Sequence, residues 1–271
     1  MIELFEQDER RNDRQSSKGN QLKWENNNVW YKADSLGYEG LSEYVISHLL
    51  KFSNLTKNEY VSYYPVKIKY RTKEYNGVSS KNFLPKGWSI ITLERLFKTY
   101  YGKSLHQAIW TIRDHKERLK YLVENVKKIT GLKDFGRYMN IILTIDTFFL
   151  NEDRHTHNLA VLMNENGDFD YCTIFDNGAG LLSDTEMFFP MEDDIYKLID
   201  SVKGKTFCDN LEEQLEISED LFGMNLILKF TKKDVENILS NDAVSIYSFE
   251  ERERVRKVLF EQMRRYPYLF E

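Results

Sequence analysis

Apolar and polar positions alternate along the chain so that a strand-rich front gives way to a helix-rich back. Residues 21–24 and 29–33 flank the polar run Glu25-Asn26-Asn27-Asn28 and predict a β-hairpin. Leu41, Val45, Leu49 and Phe52 form an apolar stripe that predicts a helix over 41–52. Residues 60–70, rich in Tyr, Val and Ile, read as strand, with Pro65 asking for an edge or a bulge. Residues 88–93 read as another strand. Helical periodicity runs over 104–129 through Leu105, Ile109, Ile112, Leu119, Leu122 and Val126, with Gly131 as the stop. A second helix, capped by Asp134 and ending at Leu150, is apolar nearly all round and is expected to be buried. Residues 159–163 and 171–175 read as strands joined across Asn166-Gly167, a strong hairpin signal. Beyond Pro190, helices are expected near 194–202, 212–222, 232–239 and 248–266. The first twenty residues are polar and charged. The change of character near 93–103 predicts a two-lobed α+β architecture, with a β-rich N-terminal lobe over 1–93 and a helical C-terminal lobe over 94–271.

Composition narrows the partners. At 271 residues, 41% hydrophobic and 14% aromatic, the chain can bury a substantial core. A formal net charge of -5 argues against a dedicated nucleic-acid binder, so no direct nucleic-acid contact is expected. No apolar run approaches the roughly 18–20 residues that span a bilayer, and the first residues lack an apolar signal core, so no membrane partner is expected. Cys172 and Cys208 are too few for a disulfide framework, and Cys172 reads as a buried thiol. A cytoplasmic protein is the default, which leaves secretion or delivery to another cell open.

The chemistry concentrates in two stretches, N-E-D-R-H-T-H-N at 151–158 and I-F-D-N-G at 174–178. Asp153 and Asn158 sit in a polar loop, and Asp176 closes the second strand of the following hairpin. An Asp, an Asn five residues on and a second Asp beyond a hairpin make a kinase-type site. There the first Asp orients the attacking hydroxyl, and the other two hold Mg²⁺ on ATP phosphates. Mg²⁺ favours such hard oxygen ligands. Lys32, in the strand V-W-Y-K-A, can reach phosphates if a helix carboxylate fixes it, with Glu43 the expected partner and Glu39 the rival. The turn Ser16-Ser17-Lys18-Gly19-Asn20 can bring backbone N–H groups to phosphates. His155 and His157 form an H-x-H pattern. It reads as support for the catalytic loop, and as a zinc hydrolase only if more donors join it.

These residues together resemble the HipA-like serine/threonine kinases, an atypical branch of the protein-kinase-like fold. The resemblance rests on residues 151–158 and 174–178, is supported by V-W-Y-K-A and Y-E-G-L-S-E, and runs in order from about residue 16 to 182. The D-R-H-x-x-N element also looks like the catalytic loop of phosphoinositide kinases. The resemblance implies ATP with Mg²⁺ (or Mn²⁺) as cofactors, a protein substrate with a Ser or Thr hydroxyl, and autophosphorylation. It implies Asp153 as catalytic base with His155 in support, Asn158 and Asp176 as metal ligands, and Lys32 on the phosphates. It also implies a hinge near 90–93, with Ile91 and Leu93 beside adenine. The chain is compact relative to toxin-type members, and Asn177 replaces the Phe that follows this Asp in ordinary protein kinases. Ser79-Ser80 and Ser16-Ser17 are candidate self-targets. A nucleotide-binding pseudokinase or interaction module, or a lipid kinase-like phosphotransferase, is the alternative function.

Overall fold

The computed structural model describes residues 1–10, 21–191 and 194–270. The chain divides into two units, one of residues 1–83, 175–201 and 227–271, the other of residues 84–174 and 202–226. This grouping follows packing, whereas the expected lobes at 1–93 and 94–271 follow chain order.

The first unit is built on a five-stranded sheet. Its strands are β1 (Ile2–Leu4), β2 (Lys23–Asn26), β3 (Val29–Ala33), β4 (Tyr64–Tyr70) and β5 (Lys73–Lys81), in the order β1-β4-β5-β3-β2. β1 runs parallel to β4, and the other pairs are antiparallel. Asn27 and Asn28 adopt φ of 51° and 63° in the β2–β3 turn, which a two-residue hairpin of matching twist requires. Pro65 lies near the start of β4 and pairs only with Val78 of β5, since β1 covers β4 from Ile68 onward. At that point β4 is an edge, where a missing N–H does no harm. Trp24, Leu4, Ala33, Ile68 and Tyr70 form a buried cluster on the sheet. Helix α1 (Glu39–Leu49) packs on β4 and β5.

Two strands escape the sequence reading. β1 is short and sits in a charged N-terminus. β5, K-E-Y-N-G-V-S-S-K, shows no clean apolar alternation, yet it lies between β4 and β3. Gly77 at its middle is required: a Cβ there would lie 2.1 Å from the Lys32 carbonyl oxygen. Ser79 and Ser80 lie inside this strand, paired with Tyr31 and Trp30 on one side and, for Ser79, with Tyr64 on the other. Hydroxyls held in a doubly paired strand cannot extend into an active site without breaking the sheet, so the self-target reading of Ser79-Ser80 is set aside.

The second unit carries a three-stranded sheet. β6 (Trp88–Thr92), β7 (Ala160–Asn164) and β8 (Phe169–Tyr171) pair antiparallel in the order β6-β7-β8. Its helices begin with α2 (Leu93–Tyr101), α3 (Leu105–Thr111), α4 (His115–Thr130) and α5 (Phe135–Phe148). The helix expected over 104–129 is two helices. The Asp114 side chain accepts the Glu117 N–H at 2.8 Å and starts α4 afresh, while Gly131 stops it at φ 76°. The stretch 93–103, where the change of character falls, is helix α2, capped by Thr92 and closed by Gly102. α5 is buried along most of its length, as its uniform apolarity requires. It packs against α4 and a later helix that follows α6 (Ile195–Ser201), namely α7 (Leu211–Phe222).

The first unit also contains α6, α8 (Lys232–Leu239) and α9 (Phe249–Arg265), with α8 on α1 and both α6 and α8 on α9. Among the described residues, no helix is long and apolar enough to cross a membrane.

Candidate active site

In the first unit, β3 delivers Lys32 to two carboxylates. Its Nζ donates to Glu43 Oε1 and to Asp176 Oδ1, each at 2.8 Å. Glu43 comes from the buried face of α1 and is 2% exposed; Asp176 follows Phe175 and is 22% exposed. The other Glu43 oxygen accepts the Asn177 N–H at 3.1 Å, and Ser42 Oγ donates to the Asn177 carbonyl. One helix thus fixes the lysine and the backbone beside Asp176. Glu39 does different work: its carboxylate accepts the Leu36 and Gly37 N–H groups and shapes the entry to α1.

Burial alone would lower the Lys32 pKa, but the Asp176 and Glu43 carboxylates outweigh it and hold the ammonium well above the usual lysine range. Burial pushes Glu43 up, with Lys32 opposing. The cluster sets two carboxylates against one ammonium. Asp176 also adopts φ 64°, and Leu181 and Leu182 adopt 54° and 58°. Such left-handed conformations are uncommon outside glycine and gather where geometry is fixed for function. The surrounding packing holds them: the Tyr38 hydroxyl donates to the Leu181 carbonyl, and Ser183 Oγ to that of Gly178.

In the second unit, the loop 151–158 follows α5 through Leu150, at φ 58°. Asp146, in the last turn of α5, is 1% exposed. It accepts Arg154 Nε at 3.1 and 3.0 Å and Asn151 Nδ2 at 2.8 Å. Burial raises the Asp146 pKa against the pull of Arg154. Thr206 Oγ1 donates to the Arg154 carbonyl, and Thr156 Oγ1 to Glu94 of α2. Against burial, hydrogen bonds from Ser104, the His106 N–H and Thr156 hold Glu94 below the usual carboxylate range.

Asp153 stands on this frame. Its Oδ1 receives Lys205 Nζ at 3.1 Å, and its carbonyl receives Asn158 Nδ2 at 2.9 Å and the His155 N–H at 3.0 Å. Turning the Asn158 NH₂ onto that carbonyl leaves Oδ1 as the acceptor end of the amide. His155 Nδ1 accepts the His157 N–H at 3.2 Å. In a neutral ring this puts the proton on Nε2, which lies 4.0 Å from Asp153 Oδ2.

Other sequence candidates fall less centrally. Ser16, Ser17, Lys18 and Gly19 lie outside the described residues. Ile91 is buried in β6 opposite Val161. Leu93 is fully buried and opens α2, and its N–H donates to the Leu159 carbonyl at 2.8 Å. That amide is taken and the side chain is sealed in the core, so Leu93 presents no exposed atom for the expected adenine contact. Among the described residues, His155 and His157 belong to no group of three metal donors; the one such group is His115, Cys208 and Glu213. There His115 Nδ1 already bonds Glu213 Oε1, and Cys208 Sγ donates to the Asn210 carbonyl. Burial pushes the Cys208 thiol up to about 11. Sequence reasoning missed Asp146, Arg154, Glu94 and Lys205. An Asp within the apolar run T-I-D-T-F was a readable sign of the first; K-G-K-T carried none for Lys205.

No protein-family model and no curated protein matches the sequence. Solved structures do. The crystal structure of the proinflammatory kinase CtkA of Helicobacter pylori is similar over 90% of each chain, with a TM-score of 0.58 at 16% identity. The structure of hydra Fam20 with sugar aligns over 92% of this chain and 81% of its own, with a TM-score of 0.43 at 12% identity. The likeness to CtkA, together with the strand and helix content above, establishes a two-lobed protein-kinase-like α+β fold.

Proposed function

We propose that this chain is a HipA-like kinase that transfers the γ-phosphoryl group of ATP to a Ser or Thr hydroxyl of a protein, its own included. The observation that carries the reading is the buried Lys32–Glu43–Asp176 cluster, with two 2.8 Å bonds to one ammonium. A lysine fixed by a helix glutamate beside a second acid is what phosphate binding in a kinase requires. The fold of CtkA, a kinase, agrees with it.

The two expected ligands are each of the kind that Mg²⁺ or Mn²⁺ prefers: Asp176 offers a part-exposed carboxylate, and the Asn158 amide, with its NH₂ on the Asp153 carbonyl, offers its oxygen. A cation on such donors would neutralise phosphate charge. Lys32 binds phosphate oxygens, and Glu43 keeps it in place. Asp153 orients the acceptor hydroxyl and takes its proton, with His155 limiting its rotation. Asp146 and Arg154 hold the loop and touch no substrate. The buried, unbridged thiols of Cys172 and Cys208 suit a reducing cytoplasm.

The test is incubation with labelled ATP and Mg²⁺ beside Asp153→Ala. Label on the wild type, reduced about 10²–10⁴-fold in the variant while nucleotide still raises Tm, is the expected result. Nucleotide stabilisation without label under any acceptor would make the chain a pseudokinase, and neither signal would end the kinase reading.

A further inference from the structure

Lys205 sets an ammonium on the Asp153 carboxylate, and no sequence motif announces it. Its Nζ lies 3.1 Å from Asp153 Oδ1, and its side chain is 40% exposed. An ordinary surface ion pair would contribute little and would need no special support. This one is mounted on a built loop. Gly204 and Thr206, on either side of Lys205, are both buried. The Gly204 N–H donates to the Asp209 carbonyl at 3.1 Å, and a Cβ on Gly204 would lie 2.1 Å from Gln214 Nε2, so a larger residue would displace the Gln214 side chain of α7. Thr206 Oγ1 donates to the Arg154 carbonyl at 2.7 Å, next in the chain to Asp153. Arg118, buried in α4, donates to the Phe207 carbonyl at 2.8 Å, and Phe207 itself is fully buried. The loop is therefore tied to the catalytic loop at one point and to α4 and α7 at others, with the lysine as its outward member.

We infer that Lys205 is a catalytic residue whose ammonium bridges the Asp153 carboxylate and the migrating phosphoryl group. This rests on the phosphoryl-transfer reading above. In the step, the bond from the γ-phosphorus to the bridging oxygen breaks and its electron pair leaves with ADP. The acceptor oxygen bonds phosphorus, and its proton passes to Asp153. An ammonium has three N–H donors, and Asp153 Oδ1 occupies one. Before transfer the ammonium balances the carboxylate. As Asp153 takes the proton, that charge disappears while negative charge spreads over the equatorial phosphoryl oxygens. Lys205 then shifts its hydrogen bonding from one to the other, an interaction stronger in the transition state than in the ground state.

The experiment compares wild type with Lys205→Ala, Lys205→Arg and the exposed neighbour Lys203→Ala, reading kcat, KM for ATP, Tm and affinity for ADP–aluminium fluoride. Loss of one preorganised donor predicts a kcat about 10²–10³-fold lower in Lys205→Ala. KM for ATP and Tm should stay near wild type, with partial recovery in Lys205→Arg and no effect in Lys203→Ala. Affinity for ADP–aluminium fluoride, which mimics the transferring group, should fall in Lys205→Ala while affinity for a non-hydrolysable ATP analogue holds. A retained kcat, or a rise in KM at constant kcat, overturns the inference and leaves the kinase reading intact. So does a fall in kcat that tracks a fall in Tm and is not recovered by arginine. A wild-type chain that transfers no phosphate to any acceptor overturns the reading beneath it.

Discussion

Two clusters of buried charge, one in each unit, are built on opposite principles. Asp146 and Arg154 are matched one to one, 1% and 2% exposed, and Asn151 adds a further hydrogen bond to the carboxylate. Lys32 faces two carboxylates, one sealed on α1 and the other part-exposed on a left-handed backbone. The first cluster is closed and neutral, and it holds a loop. The second carries an excess of negative charge with access to solvent, and it is poised to take another cation. A buried pair is weak evidence for function, because desolvation consumes most of its attraction. An unbalanced cluster on an uncommon backbone is stronger evidence, since folding alone would not select it.

The sharpest way to break this comparison is to neutralise one carboxylate in each cluster. Asp176→Asn should abolish metal-dependent transfer, by about 10³-fold or more given several kcal/mol of charge stabilisation at a phosphoryl oxygen, with little change in Tm. Asp146→Asn should do the reverse, lowering Tm while the folded fraction keeps most of its turnover. Equal effects on both quantities from both variants would erase the distinction.

Next in size is the cost of removing the cation. Arg154→Met leaves Asp146 buried and unpaired, and should cost about 3–5 kcal/mol, read as a shift of the denaturation midpoint. Replacing Asp146 as well, by Leu, should restore much of that loss. Lys32→Met should cost less, because Glu43, already raised by burial, can take up a proton and Asp176 stays part-hydrated. Activity should nevertheless vanish in Lys32→Met and not return with Glu43→Gln. A Lys32→Met protein as unstable as Arg154→Met would show that the two clusters carry the same structural load.

A smaller effect separates the first unit's scaffold from its site. Asp34, just after β3, accepts the Gly40 N–H at 2.6 Å, and its Oδ2 is enclosed beside the Tyr247 hydroxyl. Burial and the Glu39 carboxylate, with Glu251 adding to them, raise its pKa to about 8 against the Gly40 N–H and the Tyr247 hydroxyl. Tyr247, packed nearby, is itself raised well above the usual tyrosine range. The folded value lies above the ordinary aspartate value of about 3.9. The folded state therefore binds the proton more tightly, and stability falls as pH rises from about 4 towards 8. Asp34→Asn keeps an acceptor for Gly40 and removes this dependence. The stability difference between variant and wild type should shift in the variant's favour from pH 5 to pH 8. A difference that stays constant over that window would refute the raised value.

How much of this was legible follows from where each signal lives. Spacing within a segment pointed to the second hairpin and to α5, because those depend on neighbours in sequence; the hairpin's second strand is Phe169–Tyr171 rather than the expected 171–175, so Asp176 lies beyond it and does not close it. Glu43 was readable because helix periodicity placed it one turn from Glu39, leaving only two choices. β5 was not, because its place between β3 and β4 is decided by Gly77 fitting against Lys32, a contact between distant segments. The break between α3 and α4 was hidden by apolar periodicity that continues through Ile112, although Asp114 is a cap in plain view. Arg154 looked like one more polar loop residue, because its partner Asp146 lies on the preceding helix and the pairing is a tertiary fact. Lys205 was beyond reach for the same reason, 52 positions from Asp153.

The smallest expected effect concerns His155, and it tests how far the loop in the second unit is scaffold. Its Nε2 lies 4.0 Å from Asp153 Oδ2, beyond hydrogen-bond distance, while Nδ1 is engaged by the His157 N–H. At that separation the ring limits the rotation of the carboxylate but bears none of its charge in the neutral form. His155→Gln retains an acceptor for the His157 N–H and should lower kcat by less than about fivefold, the equivalent of 1 kcal/mol or less. A loss approaching that of Asp153→Ala would mean that the ring closes onto the carboxylate during turnover and shares in the proton's transfer. The division between a charged centre at Asp153 and a supporting frame around it would then have to be redrawn to include His155.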